Sequence, residues 1–287
     1  MVGEIVKYLE PAVGKIFIDG TAGHCGHSLA MLAAADCQIL ALDQDEAQLA
    51  TCRARLTESA NVKLIRGNFA ELAQLAQNYG FAAVDGVLLD LGLSSWHLEE
   101  SQRGFSFQDS EPLDMRYDQN SNEPTARELV NTLRQEQLAE LFNAYGQERF
   151  AKSIARRIAQ SRMARPIETS EQLVQVIATA IPGSVRSKSR KHFATRVFQA
   201  LRIAVNRELA NLEQALPQAL QILNSGGVLV VISYHSLEDR IVKNYFRNWA
   251  REDKTILLTK KPQMPTREEV RVNSRAHSAK LRAIRKI

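Results

Sequence analysis

Ile18-Asp19-Gly20-Thr21-Ala22-Gly23-His24-Cys25-Gly26-His27-Ser28 is the stretch on which the fold turns. Three glycines spaced by two residues lie between an apolar run, 15–19, and a helix-like run, 27–35. Glycines at a strand-to-helix turn let the backbone bend tightly and approach a ligand closely. Working outward, residues 38–43, 61–65 and 84–90 are further short runs rich in Ile, Leu and Val, with the length of buried strands. Helical patterns at 47–56 and 71–79 alternate with them. That alternation predicts βαβ units and a parallel sheet covered on both faces.

Beyond Asp90 the pattern changes. Residues 92–122 are rich in Gly, Ser, Asp and Asn and read as a long irregular connection, which inside an enzyme is usually functional. Thr125 with Glu128, and Thr169 with Gln172, have the spacing of capping boxes and predict two helix starts. Phe150, Ile154 and Ile158 recur every four residues, residues 183–192 read as a basic loop, and Val197, Leu201, Val205 and Leu209 mark a long helix. Strand-like sequence returns at 228–233, 255–259 and 280–287. The expected architecture is an α/β domain, 1–118 plus 196–287, interrupted by an all-helical insert at 119–195.

Charge is segregated along the chain. From Arg149 to Arg207 thirteen basic residues face two acids, and from Lys254 to the end ten face two, although the whole chain carries only +5. Such asymmetry points to a polyanion-binding surface beside an acidic body. Arg186, Lys188, Arg190 and Lys191 are the candidate phosphate contacts. The three cysteines, Cys25, Cys37 and Cys52, form no CxxC pair, and are expected to be thiols in a reducing cytoplasm, outside any disulfide framework or zinc site. No apolar stretch approaches the roughly 20 residues that span a bilayer, and no membrane partner is expected. The His24/His27 pair lacks partners for a metal, and none is expected.

Asp19, Asp43 and Asp90 close the first, second and fourth expected strands, at the sheet edge where such folds bind ligands. A carboxylate after the second strand can accept both hydroxyls of a ribose, and Phe69 after the third can pack on an adenine. So many acids repel a pyrophosphate and attract a sulfonium with an amino group, which favours S-adenosylmethionine over a nicotinamide dinucleotide.

Asp19-Gly20-Thr21 with Cys25-Gly26-His27-Ser28, Leu89-Asp90-Leu91-Gly92-Leu93-Ser94-Ser95, Arg103-Gly104-Phe105-Ser106-Phe107 and Pro112-Leu113-Asp114-Met115-Arg116 stand in the first half. Tyr145 to Lys152 (YGQERFAK), Ala194 to Ile203 (ATRVFQALRI) and Ser233 to Arg240 (SYHSLEDR) follow. Together these blocks resemble the bacterial ribosomal RNA small subunit methyltransferase H family along nearly the whole chain. The resemblance implies a class I, Rossmann-like sheet and methyl transfer from S-adenosylmethionine to the exocyclic N4 of a cytidine in the decoding region of small-subunit (16S) ribosomal RNA. The partner it implies is that RNA within the 30S subunit, in the cytoplasm, with a homo-oligomer left open. It places cofactor contacts at Cys25, Gly26, His27, Asp43, Phe69, Asp90 and His97. Cys25 stands where glycine is common and His97 where glutamine is common. The family's short His-containing segment before Val2 is missing here, so a truncated or misassigned start is expected.

A cytosine amine is a poor nucleophile, because its lone pair is delocalised into the ring; a carboxylate that accepts an amino hydrogen bond helps. Asp90 is the candidate, either for this role or for cofactor binding. Around a flipped base Ser94, Ser95, Phe105, Asp114, Tyr234 and His235 are the candidate lining, with Trp96 and Phe107 as further aromatics. Asp114 is equally placed for a salt bridge to Arg116 or Arg103. His235 beside Ser236 and Glu238 lacks the nucleophile elbow of a hydrolase. The alternatives are a non-catalytic ribosome-assembly factor and a methyltransferase acting on another substrate class.

Overall fold

The computed structural model describes residues 1–56, 61–187 and 192–287. The chain begins with α1 (Val2–Leu9), β1 (Ile16–Asp19), α2 (Gly26–Ala34), β2 (Gln38–Asp43), α3 (Glu46–Arg55), β3 (Val62–Arg66), α4 (Leu72–Asn78) and β4 (Val84–Asp90). Among the described residues seven helices follow: α5 (Ser95–Glu99), α6 (Ala126–Thr132), α7 (Gln135–Gly146), α8 (Ala151–Ala164), α9 (Ser170–Ala180), α10 (Gly183–Arg186) and α11 (Thr195–Val205). The chain closes with α12 (Glu208–Ile222), β5 (Leu223–Ser233), α13 (Ser236–Arg251), β6 (Thr255–Leu257), α14 (Arg267–Val272) and β7 (Lys280–Lys286). It divides into two compact units, Met1–Gly92 with Leu209–Ile287, and Leu93–Glu208.

The first unit is built on a seven-stranded sheet of order β3-β2-β1-β4-β5-β7-β6. β1 to β5 run parallel, whereas β7 pairs antiparallel with β5 and β6. Successive strand side chains point to opposite faces, so each strand feeds two cores. Ile18, Leu40, Leu42, Val87, Leu89, Leu229 and Val231 pack against α4, α12 and the Val242, Phe246 and Trp249 face of α13. Their neighbours Phe17, Ile39, Ala41, Leu88, Val228, Val230 and Ile232 pack with Ile5 and Leu9 of α1 and Met31 of α2 on the other face. This is the expected α/β sheet, with β1, β2 and β4 all ending in aspartate.

The second unit is helical. Leu138 and Phe142 of α7, Ile154 and Ile158 of α8, Leu173 and Ile177 of α9, and Val197 and Leu201 of α11 form its centre. Both capping boxes are present: Thr125 and Glu128 open α6, and Thr169 and Gln172 open α9. Its limits differ from the expected 119–195. Phe105, Leu113, Met115 and Tyr117 are buried in the helical core, which draws in the irregular segment before it, and α11 belongs to it as well. Two local expectations are also corrected. Residues 183–186 of the expected loop form the single turn α10. The expected continuous helix through Leu209 breaks after Val205, where Arg207 takes a positive φ of 50° and α12 starts anew.

Gly104 holds the irregular segment in place. Its φ is +76°, and a Cβ there would lie 2.5 Å from the Pro112 carbonyl oxygen. Its amide donates to Glu111 Oε2 at 2.7 Å. Both the backbone conformation and the space therefore exclude a side chain. Gly104→Ala is expected to destabilise the chain by roughly 2–4 kcal/mol, combining αL strain with displacement of packed backbone. A lowered urea midpoint with unchanged m-value checks this; an unchanged midpoint contradicts it.

Candidate active site

The turn after β1 is fixed by its own carboxylate. Asp19 is fully buried, and its Oδ2 accepts from Ser28 Oγ at 2.7 Å while Oδ1 accepts from the Thr21 amide at 3.3 Å. Burial pushes the Asp19 pKa up. Across the crevice, Asp43 Oδ2 accepts from the Gly23 amide at 2.8 Å and Oδ1 from the Asp45 amide at 2.9 Å. The carboxylate at the tip of β2 is thus tied to the glycine turn at the tip of β1, and each oxygen keeps a lone pair for a further donor. Burial pushes the Asp43 pKa up to about 6.

Asp90 stands at the centre of a second constellation. Its amide donates to Thr21 Oγ1 at 2.7 Å, its Oδ2 lies 3.0 Å from His27 Nε2, and its Oδ1 accepts from Tyr234 Oη at 3.0 Å. Tyr234 directly follows β5, the neighbour of β4 in the sheet. Gly92, at φ +97°, passes so close that a Cβ would lie 3.3 Å from the Tyr234 ring. Burial alone would lower the His27 pKa, but the Asp90 hydrogen bond and charge, with Asp19 beyond, raise it above the usual imidazole value. Burial and the Asp90 carboxylate together push the Tyr234 hydroxyl up, so it stays protonated and donates. A carboxylate held from two sides at a sheet edge has its orientation fixed before any ligand arrives.

The pattern of the MraW methylase family matches residues 1–287. The chain belongs to the MraW methylase family. Among its relatives, a ribosomal RNA small subunit methyltransferase H of Thermomicrobium roseum is 48% identical, over 98% of this chain and 91% of the relative. Proteins of that same name from Coprothermobacter proteolyticus and Carboxydothermus hydrogenoformans are 43% and 41% identical, over 100% of this chain and 94% and 96% of the relatives.

As a MraW methylase the chain uses S-adenosylmethionine as methyl donor, and the crevice has the features to take it. His27 Nδ1 and both amide atoms of the fully buried Gln48 are buried without a hydrogen-bond partner among the described residues. A Cβ on Gly26 would meet nothing within 4 Å, so the backbone there faces open space. Asp43, Asp19 and Asp90 supply negative charge suited to a cation. Asp43 would hold the ribose hydroxyls, and Phe69, half-buried in the turn that follows β3, would lie towards the adenine. Because Asp43 titrates near 6, cofactor affinity is expected to fall as pH drops through that value, by up to tenfold per unit. The sign for stability is opposite: the folded chain holds the Asp43 proton more tightly, so its ionisation costs stability as pH rises from the ordinary carboxylate range to about 6. Calorimetric titration of S-adenosylmethionine between pH 5 and 8 (roughly) checks the first claim, and Asp43→Asn should flatten the curve.

The other sequence-derived residues fall in two places. His235 caps α13, its Nδ1 accepting from the Glu238 amide at 3.4 Å, and Glu238 Oε2 accepts from the Tyr234 and His235 amides at 2.9 and 3.2 Å. This is a structural cap beside Tyr234. His97, Ser94, Ser95, Phe105, Asp114 and Arg186 belong to the helical unit. There Ser94 caps α5, with Oγ 2.9 Å from His97 Nδ1, and Ser95 opens that helix. His97 is buried edge-on to Phe105 and Tyr117, at ring distances of 5.1 and 5.0 Å, and Phe105 stacks on Tyr117. Trp96 lies under the Arg103 guanidinium and Phe107 stacks on His192. Asp114 makes the salt bridge to Arg116, 2.8 Å from its Nε and 3.1 Å from its Nη2. Arg186 lies over Phe193, and Lys188, Arg190 and Lys191 lie outside the described residues.

One sequence expectation is overturned. Cys25 and Cys52 meet with their sulfurs in bonding contact and Cα atoms 5.4 Å apart, leaving Cys37 as the buried free thiol. The start of α2 lies beside α3 on the same sheet face, which brings together cysteines 27 residues apart without any CxxC spacing. Cys25 also accepts a φ of 59°, the left-handed region expected of the glycine common at this position. Sequence reading missed the contact between Tyr234 and Asp90, 144 residues apart. The Ser233-Tyr234-His235 run that closes β5 is its signal in the sequence.

Proposed function

We propose that the chain transfers a methyl group to the exocyclic N4 of a cytidine in the decoding region of small-subunit ribosomal RNA. The observation that carries the reading is Asp90, fixed between His27 Nε2 and Tyr234 Oη at 3.0 Å each, at the sheet edge beside the cofactor turn. The names of the relatives support an RNA substrate, and the basic residues between Arg149 and Arg207 supply the charge to hold one.

When bound, S-adenosylmethionine supplies an electrophilic methyl on a sulfonium. Asp90 accepts a hydrogen bond from the cytosine amine, which draws the nitrogen lone pair out of the ring and aims it. As the N–C bond forms and the S–C bond breaks, the amine proton leaves towards the Asp90 carboxylate. Tyr234 and the raised-pKa His27 keep that carboxylate oriented and stabilise its charge. The Thr21 hydroxyl, bonded to the Asp90 amide, couples the tip of β4 to the cofactor turn.

The test offers labelled S-adenosylmethionine with unmodified small ribosomal subunits, naked small-subunit RNA, DNA and free cytidine. Label entering ribosomal RNA but not DNA or free cytidine is expected. Label in DNA or in a small molecule alone overturns the substrate class, and cofactor binding without transfer to any substrate would favour an assembly factor.

A further inference from the structure

We infer that the outer face of α13 is a track for the RNA backbone, leading away from the Asp90–Tyr234 site. This rests on the RNA reading above and adds a contact surface outside the helical unit. From Arg240 to Arg251 the sequence is RIVKNYFRNWAR, with four cations and no acid. Arg240, Lys243, Arg247 and Arg251 recur at intervals of three, four and four residues, which places them along one face of a helix. Val242, Phe246 and Trp249 are buried in the sheet core, so the basic ridge lies on the side turned away from it. Arg240, Arg247 and Arg251 are exposed and Lys243 half-buried. Asn244 and Asn248 fill the intervening surface positions with further amide donors and are exposed too.

The pairing of charges sets this ridge apart. Close by in the first unit, Arg282 and Lys280 are paired with Asp239, Arg285 with Glu10 and Lys254 with Glu252. Among the described residues none of the four ridge cations has an ion pair. A row of unneutralised positive charge is an electrostatic cost that a polyanion removes, through release of its counterions. The ridge covers about 16 Å, with a cation roughly every turn. It begins about one and a half helical turns after His235, the residue next to the tyrosine that holds Asp90. A strand whose target base reached Asp90 would have its neighbouring phosphates at the start of the ridge. Acids are excluded from the segment, which favours a polyanion over the mixed-charge surface of a typical protein partner.

The experiment measures binding of naked small-subunit RNA against salt for the full chain and for a variant with Arg240→Gln, Lys243→Gln, Arg247→Gln and Arg251→Gln. Each lost phosphate contact reduces the slope of log K against log salt by about 0.7, so a fall of about 3 is expected. Unchanged S-adenosylmethionine affinity shows that the sheet is intact. A charge-conserving variant, with Arg240→Lys, Arg247→Lys and Arg251→Lys, should keep the slope. Should the fourfold variant fail to fold, Arg247→Gln with Arg251→Gln should remove about half of the effect. An unchanged slope in a folded variant, as an acidic protein partner on this face would give, overturns the ridge and leaves the RNA reading standing. Absence of RNA binding by the unaltered chain overturns both.

Discussion

Asp90→Ala should reduce the rate of methyl transfer by about a hundred- to a thousandfold, with a much smaller loss of cofactor affinity. The carboxylate stands at the β4 tip, where it can accept the amine hydrogen bond. Removing a hydrogen-bond partner that is strengthened in the transition state costs on the order of 3–4 kcal/mol. The two groups that hold Asp90 make the size of the effect interpretable. Tyr234→Phe leaves the carboxylate with His27, at 3.0 Å, as its remaining side-chain partner among the described residues, and should lower the rate about tenfold while binding stays near normal. Single-turnover kinetics and calorimetric binding separate the two quantities. Near-normal turnover in Asp90→Ala would remove the residue from the chemistry. A collapse in cofactor binding with an unchanged rate at saturation would assign it to the cofactor instead.

Asp43→Ala should weaken S-adenosylmethionine binding about a hundredfold while the rate at saturating cofactor changes little. Two charge-assisted hydrogen bonds to a ribose, at about 1.5 kcal/mol each, account for that factor. The substitution also strands the Gly23 and Asp45 amides that the carboxylate now satisfies. Some of the loss is therefore loosening of the glycine turn, and the apo-protein should unfold at a slightly different temperature. The stabilisation that cofactor gives in a thermal melt should shrink in proportion to the logarithm of the affinity lost. An Asp43→Ala variant that retains full affinity would show that the ribose is held elsewhere.

What was legible in the sequence was local. The glycine turn, the aspartates closing β1, β2 and β4, and both capping boxes are set by residues within a few positions of one another, and all appear where expected. What failed depended on distant partners. Residues 92–122 read as a long irregular connection because they lack periodicity, yet Phe105, Leu113, Met115 and Tyr117 are core residues of the helical unit. The helical period continues through Asn206 and Arg207, but Asn206 bonds the Tyr117 amide and the Met115 carbonyl, and the helix ends there. Cys25 and Cys52 meet only because two helices are laid side by side on the sheet. The Asp90 pair with Tyr234 likewise needs β5 beside β4, an adjacency that no local pattern announces.

In the proposed function Asp90 directs a methyl group to a cytosine amine of ribosomal RNA. Digestion of small-subunit RNA after reaction with labelled S-adenosylmethionine identifies the nucleoside that carries the label. Label is expected in N4-methylated cytidine, present with the unaltered chain and absent with Asp90→Ala. Label in a ring-carbon- or ribose-methylated nucleoside, or label that persists with Asp90→Ala, would contradict it.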